Sequence, residues 1–403
     1  MIGAMSDCIS TRRRFLGTVV AATAGAAGRL NAMPLEKPDP LAATERVMHA
    51  FVVDHMLDRD GLCRSFLCAQ TLAPWTNADL AKCDPRILTD MFQNSPDKAG
   101  CLTYENALMA TGEFAVSQIA RYQATKDVAA RELAHRAIQA ILGVVKAGRH
   151  YMPGWLPKPF GGLRTARDSH ETSTDQYTKA LVALHAWRPL AGDGERLEID
   201  RFFVDAADFF VARKFRHAYR HRTIVSANTH QHALGLFVPL VVLAAQVSGN
   251  PAYREHLATF HSAMDAAVEN EVLANFNMTS LIIEGYQVAL QAGHQDPRLA
   301  RTILRLWQRG ARRIDESGAA YDSCDSKRRE PQSTRLAAAA TIVETLDPTI
   351  RASELALRIL GRECDPRTMT HTRLPETIDE VAVTSWLMTF WRLQGQREKT
   401  GQV

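Results

Sequence analysis

Apolar residues recur at every third and fourth position along most of the chain beyond residue 40. Alternating apolar and polar positions with β-branched residues are scarce, so the pattern predicts α-helices rather than strands. Turn signals rich in Gly, Asp, Asn and Pro separate the helical segments. The predicted helices span residues 41–58, 103–124, 126–148, 172–188, 196–215, 228–248, 251–270, 275–292, 296–314, 332–346, 348–361 and 378–394. We therefore expect an all-α protein of about twelve helices.

The connections between the predicted helices alternate in length. A short turn joins residues 103–124 to residues 126–148, whereas long, irregular connections cover residues 149–171 and 216–227. Stacked helical hairpins produce this alternation, because their short turns gather at one end and their long loops at the other. Twelve helices in six hairpins close into an (α/α)6 toroid around a cleft, with a superhelical solenoid as the alternative. The long loops favour the toroid, because enzymes place their chemistry on such loops.

The first 32 residues form a segment of a different kind. In the run "STRRRFL", the arginine pair Arg12 and Arg13 precedes a Phe-Leu pair by one residue, and an apolar run with small residues follows. This order is typical of a twin-arginine export signal, and a disordered basic tail or a short membrane anchor is the alternative. We predict a signal peptide at residues 1–32 and one toroid domain at residues 33–403. The twin-arginine export machinery is then a partner, and the protein is bacterial and periplasmic or secreted.

Composition and charge limit the possible partners. The chain has 403 residues, of which 46% are hydrophobic and 23% charged, which is typical of a globular protein with a sizeable core. The formal net charge is +4, but it falls to about +1 without residues 1–32, so the basic surplus belongs to the predicted signal. Nothing therefore indicates a nucleic-acid partner. No unbroken apolar run of 18 residues is present, and we expect no stable membrane span after cleavage.

Cysteine spacing leaves two expectations open. Six cysteines follow the predicted signal, and four of them fall within residues 63–101; the six are Cys63, Cys68, Cys83, Cys101, Cys324 and Cys364. An oxidising compartment permits disulfides, so one expectation is a bridge within residues 63–101. Buried free thiols are the other expectation, because the pairing cannot be deduced from sequence.

Two segments resemble a known group of enzymes. The segment "YENALMATGEFAVSQIARYQATKDVAARELAHRAIQAI" is similar to a hairpin of unsaturated glucuronyl hydrolases and related six-hairpin sugar enzymes, in which an acidic residue opens an inner helix and "TGD" closes the turn. Here Glu105 opens the helix, one methylene longer than the usual aspartate, and the turn reads "TKD". The segment "STDQYTKALVALHAW" resembles the second acidic helix of the same enzymes, with Asp175 and Gln176 in place of Asp-Asn. The resemblance implies an (α/α)6 toroid that acts on acidic oligosaccharides.

Asp175 and Glu105 are the predicted catalytic residues. Each lies near the start of a predicted inner helix, where capping of the helix dipole is the alternative role. The resemblance implies that such an acid helps to hydrate the 4,5 double bond of an unsaturated uronic acid, after which a hemiketal collapses and releases the next sugar. This chemistry differs from displacement at an anomeric carbon by two carboxylates.

The run "HYMPGWLPKPFGG" before the second acidic helix is the predicted substrate loop. Its prolines stiffen the backbone, and Trp155 offers an aromatic face on which a sugar ring can stack. Arg164 and His170 follow and can hold a carboxylate. Tyr177 continues an apolar row that indicates an inward face and is also predicted to contact substrate. The alternatives are a loop that plugs the toroid and a tyrosine that only packs.

The segment "SANTHQHALGLF" supplies the remaining predicted substrate-binding residues. Asn228 and His232 are four positions apart, so both lie on one face of the predicted helix, with His230 nearer its cap. Helix capping is the alternative role for this segment. The histidines here and at position 217 have no acidic partner in a standard metal motif, so we expect neither a metal nor another cofactor.

The favoured function is an exported glycosidase of the unsaturated glucuronyl hydrolase type, with a uronic-acid-containing oligosaccharide as substrate. A polysaccharide lyase that uses an Asn, a His and Tyr177 is the main alternative. A sugar epimerase with paired histidines in the cleft and a non-catalytic glycan-binding toroid also remain open.

Overall fold

The structure is a computed structural model that describes residues 40–82, 95–219, 223–269, 275–323, 332–371 and 374–400. The predicted signal at residues 1–32 and two of the cysteines, Cys83 and Cys324, lie outside the described residues. One compact unit, Asp39–Val403, contains all the elements below.

Helices dominate the described chain. They are α1 (Pro40–Phe51), α2 (Asn77–Leu80), α3 (Lys98–Thr103), α4 (Ala107–Thr125), α5 (Val128–Arg149), α6 (Thr174–Trp187), α7 (Asp193–Ala212), α8 (Leu234–Ser248), α9 (Ala252–Glu255), α10 (His261–Glu269), α11 (Phe276–Gln291), α12 (Pro297–Ala311), α13 (Ser333–Ala337), α14 (Ala340–Leu346), α15 (Ala352–Arg362) and α16 (Glu380–Thr400). A π-helical turn, Val52–Met56, extends α1. Two antiparallel hairpins pair β1 (His217–Tyr219) with β2 (Thr223–Val225) and β3 (Thr370–His371) with β4 (Leu374–Ile378).

Six helical positions form a closed inner ring. The helix α4 packs on α6, α6 on α8, α8 on α11, α11 on α13 and α13 on α16, and α16 returns to α4. An outer layer alternates with this ring along the chain and consists of α1, α5, α7, α9 with α10, α12 and α15. This confirms the predicted fold class, an all-α (α/α)6 toroid of six hairpins.

Close backbone contacts hold the ring together on one side. A Cβ atom at Gly285 of α11 would lie 1.9 Å from the carbonyl oxygen of Gly235 in α8, so only glycine permits this approach. The stretch Gln231–Ser248, which contains α8, is long and apolar enough to cross a membrane by length and composition, but 72% of it is buried inside the protein. Gln231 and His232 at its start and Gln246 and Ser248 at its end are polar, so it contains no unbroken apolar run of 18 residues.

Charged side chains fill the middle of the ring. Lys179 of α6 contacts Glu113 of α4 at 2.7 Å and Glu284 of α11 at 2.8 Å, and all three are almost fully buried. The hydroxyls of Thr384 and Ser385 in α16 donate to the same Glu113 carboxylate at 2.8 Å. Burial lowers the pKa of Lys179, but the two carboxylates outweigh it and hold the pKa above its usual value. The ring is therefore solid at this level, and any open site lies nearer one end.

Three predicted helices are interrupted or shortened within the described residues, and the short helices α2 and α3 were not predicted. The predicted helix 251–270 is broken into α9, a 3-10 segment at His256–Phe260 and α10. The predicted helix 332–346 is divided into α13 and α14. The predicted helix 228–248 begins only at Leu234, because residues 227–229 form a turn and Gln231–Ala233 a 3-10 turn.

The expected disulfide does not form among the described cysteines. Cys63, Cys68 and Cys101 are free thiols, and so is Cys364. Cys63 is completely buried, and burial raises the pKa of its thiol well above the usual range. The expectation of buried free thiols is correct for Cys63 and Cys101, whereas Cys68 is partly exposed and Cys364 exposed.

Candidate functional site

The inner helices all start at one end of the ring. Inner and outer helices alternate along the chain, so the inner ones run parallel, and the long connections gather at their N-terminal ends. Backbone N–H groups and the positive ends of the helix dipoles point to this end, which favours negatively charged ligands. The predicted gathering of long loops at one end is confirmed, and both predicted catalytic acids lie there.

Asp175 lies in the first turn of α6 and is only half-buried. Its Oδ1 atom accepts hydrogen bonds from the Ser173 hydroxyl and, at 2.8 Å, from the backbone N–H of Gln176. Both bonds fix the carboxylate at the helix mouth and leave Oδ2 available to a ligand.

Glu105 lies two residues before α4 and is buried, with 4% of its surface exposed. Its Oε1 atom is 2.5 Å from the ammonium group of Lys158, which is itself 2% exposed. Burial lowers the pKa of Lys158, but Glu105 and then Tyr219 and Asp175 raise it above its usual value. The Gln176 side chain also donates to the backbone carbonyl of Glu105, so the mouths of α4 and α6 touch. The two acids are neighbours through Lys158, but this ion pair favours a supporting role for Glu105, whose catalytic role stays a prediction.

Two histidines lie within electrostatic reach of Asp175, and a third lies beside one of them. The charge of Asp175 acts on His217 and on His232, and the rings of His230 and His232 are 5.8 Å apart. His217 is 7% exposed, and neither of its ring nitrogens has a hydrogen-bond partner. A buried imidazole with two unpartnered nitrogens is free to exchange a proton with a ligand.

Burial lowers the pKa of His217 to about 4, because the nearby imidazoles of His232 and His230 add to desolvation and the charge of Asp175 only partly opposes them. The folded state therefore favours the neutral ring. The neutral ring therefore contributes to the stability of the fold, and this contribution is fully present above pH 6.5, the ordinary pKa of histidine. It is lost as the pH falls from 6.5 towards 4. We expect ring-nitrogen NMR shifts of His217 to titrate near pH 4, and His217→Gln to weaken the loss of stability between pH 6.5 and 4. A titration midpoint at or above 6.5 would contradict this assignment.

An open cavity of about 350 Å³ adjoins His217. Its walls carry aromatic, cationic and imidazole groups from two loops and the end of α7. The lining residues are Trp155, His170, Glu171, Phe209, Arg213, Arg216, His217, Ala218 and Ile224. Two of them, Trp155 and His170, are predicted substrate-binding residues, and the structure brings both into one cavity.

Tyr177 holds the predicted substrate loop in place through two hydrogen bonds to its backbone. The Tyr177 hydroxyl donates to the Gly154 carbonyl and accepts from the Leu156 N–H, each at 2.7 Å. Its ring packs against Phe202 and Phe210 of the outer helix α7, and the side chain is 1% exposed. The predicted inward direction of Tyr177 is therefore wrong. Tyr177 positions the loop that carries Trp155 and is not itself within reach of a substrate.

A strained turn positions Arg216 and His217 in the wall of the cavity. Lys214 and Phe215 follow α7 with φ of 52° and 53°, a left-handed conformation that non-glycine residues rarely adopt twice in succession. Packing of the Phe215 ring on Phe260, with ring centroids 4.7 Å apart, holds this conformation. The turn places Arg216 and His217, the next two residues, in the cavity wall.

Two predicted substrate-binding residues lie elsewhere. Asn228 is exposed in a turn rather than on the helix face with His232, because α8 begins six residues later. Arg164 is exposed on the substrate loop, but the preceding Leu163 packs on Gly143 of the outer helix α5, and Arg164 is not among the cavity-lining residues.

Sequence reasoning missed the cationic side chains of the site. Arg213 stacks on Phe209 with its guanidinium carbon 3.9 Å from the ring centroid, and it lines the cavity with Arg216. The signal was the basic run "RKFRH" directly after a helix rich in phenylalanine. Lys158 gave a signal too, as a lone lysine within an apolar, proline-rich run.

A second acidic pair at the start of α16 was also missed. Asp379 accepts from Arg335 at 2.9 Å, and Glu380 accepts from the backbone N–H of Phe66 at 2.9 Å. Burial and then the charge of Asp379 raise the pKa of Glu380 to about 7. The pair therefore links the start of α16 to α13 and to the segment around Phe66.

No three His, Cys, Asp or Glu side chains within the described ranges are placed to hold a metal ion together. His221, a further histidine between His217 and His230 in the sequence, lies outside those ranges.

The fold and site together define an all-α toroid with an acid, three histidines and an aromatic, cationic cavity at one end. The chain resembles a heparin-specific unsaturated glucuronyl hydrolase (TM-score 0.53, 10% identity, covering 90% of this chain and 98% of that one). It also resembles a glycosidase variant (TM-score 0.51, 14% identity, covering 88% of this chain and 97% of that one). A third similar structure is a D-mannose isomerase (TM-score 0.50, 9% identity, covering 89% of this chain and 97% of that one). No model of a known protein family and no curated protein sequence matches the chain. Identities this low establish the shared fold only.

Proposed function

We propose that this protein is a carbohydrate-active enzyme that acts on acidic oligosaccharides and uses Asp175 as its general acid and base. The observation that carries the proposal is the half-buried Asp175 within electrostatic reach of His217, a buried and unpartnered histidine in the wall of an open cavity. Asp175 itself is not among the cavity-lining residues. If no cavity lay nearby, a carboxylate at the start of α6 would be explained by helix capping alone.

The cavity suits an acidic sugar. Arginine binds a carboxylate through two parallel hydrogen bonds, and Arg213 and Arg216 both line the wall. Trp155 and Phe209, with ring centroids 5.8 Å apart, give an apolar wall for the ring. The solved structures of similar fold include hydrolases of unsaturated glucuronyl sugars, and this supports the same substrate class.

The proposed reaction is hydration of a 4,5-unsaturated uronic acid. The Asp175 carboxyl group gives a proton to C4, which leaves a positive charge at C5 that the ring oxygen stabilises. Water adds at C5 and returns its proton to the carboxylate, so the acid is regenerated. The resulting hemiketal opens and releases the next sugar. Neutral His217 accepts a hydrogen bond from the attacking water or the sugar.

A sugar isomerase is the second candidate, because the His217, His230 and His232 cluster can move a proton between adjacent carbons. The fold is shared with a D-mannose isomerase. The lyase alternative loses its basis, since the Tyr177 hydroxyl is buried and doubly bonded and Asn228 lies apart in a turn.

The test is a panel of acidic oligosaccharides with and without a terminal unsaturated unit. We expect loss of the ultraviolet absorbance of the conjugated double bond together with release of a sugar. A gain of absorbance would indicate a lyase, and a new sugar isomer without change in absorbance would indicate the isomerase. Specific binding without any chemical change would leave only a glycan-binding protein.

Export is part of the proposal. The twin-arginine pattern at residues 1–32 supports a periplasmic or secreted enzyme that meets polysaccharide fragments outside the cytoplasm. Cell fractionation should find the mature protein in the periplasm or the medium. Changing both Arg12 and Arg13 to lysine should retain it in the cytoplasm, and unchanged export of that variant would contradict the proposal.

A further inference from the structure

Tyr151 lies at the rim of the cavity and is 56% exposed. Its ring centroid is 5.6 Å from those of Trp155 and His170, which both line the cavity. Tyr151 itself is not among the lining residues. It therefore adds an exposed aromatic face next to Trp155 and His170, outside the cavity itself.

The backbone that carries Tyr151 is held tightly. The N–H groups of Tyr151 and Met152 both donate to the Gly148 carbonyl, at 2.9 and 3.0 Å. Gly148 lies so close to the Trp155 carbonyl that a Cβ there would approach its oxygen to 1.9 Å. Trp155 is fixed in turn, because the adjoining Gly154 and Leu156 bind the buried hydroxyl of Tyr177. A ring on such a backbone loses little conformational freedom when a ligand stacks on it.

The chemistry changes from the cavity to its rim. The cavity offers Arg213, Arg216 and His170 to a charged group, whereas Tyr151 offers an apolar face with a hydroxyl at its edge. The C–H face of a sugar ring stacks on an aromatic face and displaces water from it. An acidic unit suits the cavity, and the next unit of a chain suits Tyr151.

We propose that Tyr151 is a second sugar-binding subsite, so that the substrate is an oligosaccharide of at least two units. The acidic unit occupies the cavity, and its neighbour stacks on Tyr151. This inference rests on the proposed function and adds to it the residue that binds the second sugar unit.

The test compares ligand lengths in calorimetric binding and in turnover. The ligands are an acidic monosaccharide with a methyl aglycone and the matching di- and trisaccharides. Wild-type protein should bind the disaccharide more tightly than the monosaccharide, and Tyr151→Ala should weaken disaccharide binding about fivefold to tenfold with monosaccharide binding unchanged. Tyr151→Phe should retain wild-type binding. Leu197→Ala, which removes a 69%-exposed apolar side chain from the outer surface, is the matched control.

The outcomes separate this inference from the function on which it rests. Equal loss of mono- and disaccharide binding in Tyr151→Ala, or no loss of either, overturns the subsite while turnover by wild-type protein upholds the function. Length-dependent binding without turnover upholds the subsite and overturns the enzymatic function. Failure of wild-type protein to bind any acidic sugar overturns both.

Discussion

Asp175→Asn is expected to lower kcat by about a hundredfold to ten-thousandfold, the range for loss of a general acid or base. Asparagine keeps the size of the side chain and can still accept from Ser173 and Gln176, so the start of α6 should fold as before. It cannot give or take the proton that the proposed hydration needs. The measurement is kcat on the best substrate of the oligosaccharide panel, with circular dichroism and the thermal midpoint to confirm the fold.

The matched control for Asp175 is Asp168→Asn. Asp168 belongs to the same connection before α6, but its side chain is 71% exposed and pairs only with Arg167 among the ion pairs of the described chain. We expect kcat to stay within about twofold of wild type, because exposed pairs of this kind contribute little. Equal activity of Asp175→Asn and wild type would remove Asp175 from the mechanism. If Trp155→Ala alone abolished sugar binding in that case, the protein would be a glycan-binding toroid.

Lys179→Met is expected to destabilise the fold by about 3–5 kcal/mol, the usual effect of removing one partner from a buried ion pair. The change leaves Glu113 and Glu284 facing each other in the ring centre without the ammonium group that contacts both. Urea unfolding followed by circular dichroism measures the loss. The control is Lys146→Met on the exposed face of α5, which should change stability by less than about 0.5 kcal/mol.

A rescue variant distinguishes charge from packing at Lys179. Adding Glu113→Gln and Glu284→Gln to Lys179→Met removes the unpaired charges and should restore part of the lost stability. If the triple variant is no more stable than the single one, the loss arises from the packing of the lysine stem. If Lys179→Met alone unfolds at the urea concentration of wild type, the central ion group has no structural role.

The ring of hairpins was predictable because its signals are local. Apolar periodicity marks each helix, and loop length shows which neighbours form a hairpin. Even an unusual turn was found in this way. Lys126 takes the left-handed conformation (φ 59°) that glycine usually supplies, and Asp127 caps the next helix by accepting from Ala129.

The direction of Tyr177 was not predictable by the same means. Eleven of the fourteen residues of α6 are buried, so an inner helix is covered on nearly all sides and its apolar row does not distinguish the ring centre from the outer layer. Nor does the sequence show that Lys179, two positions further on, points to the centre.

The contacts between site residues could not be predicted, because they join residues that are far apart in the sequence. Glu105 and Lys158 are separated by 53 positions, and His217 reaches Asp175 only through a strained turn and a short β-hairpin. Such contacts depend on the closed ring and leave no periodic trace. The sequence thus located the starts of the inner helices and the aromatic loop. It did not show that Arg213 and Arg216 line the same cavity, which only the structure reveals.

The join between α4 and α16 has a consequence for how the chain folds. The hydrogen bond from Thr384 to Glu113, 271 positions apart, crosses it, and the bond from the Phe66 N–H to Glu380, 314 positions apart, ties the start of α16 to the segment between α1 and α2. Contacts of such long sequence separation form late, because the entropy of closing a large loop opposes them. The ribosome must therefore synthesise the chain through α16 before the ring can close, and until then the earlier hairpins expose their apolar faces to chaperones or to aggregation.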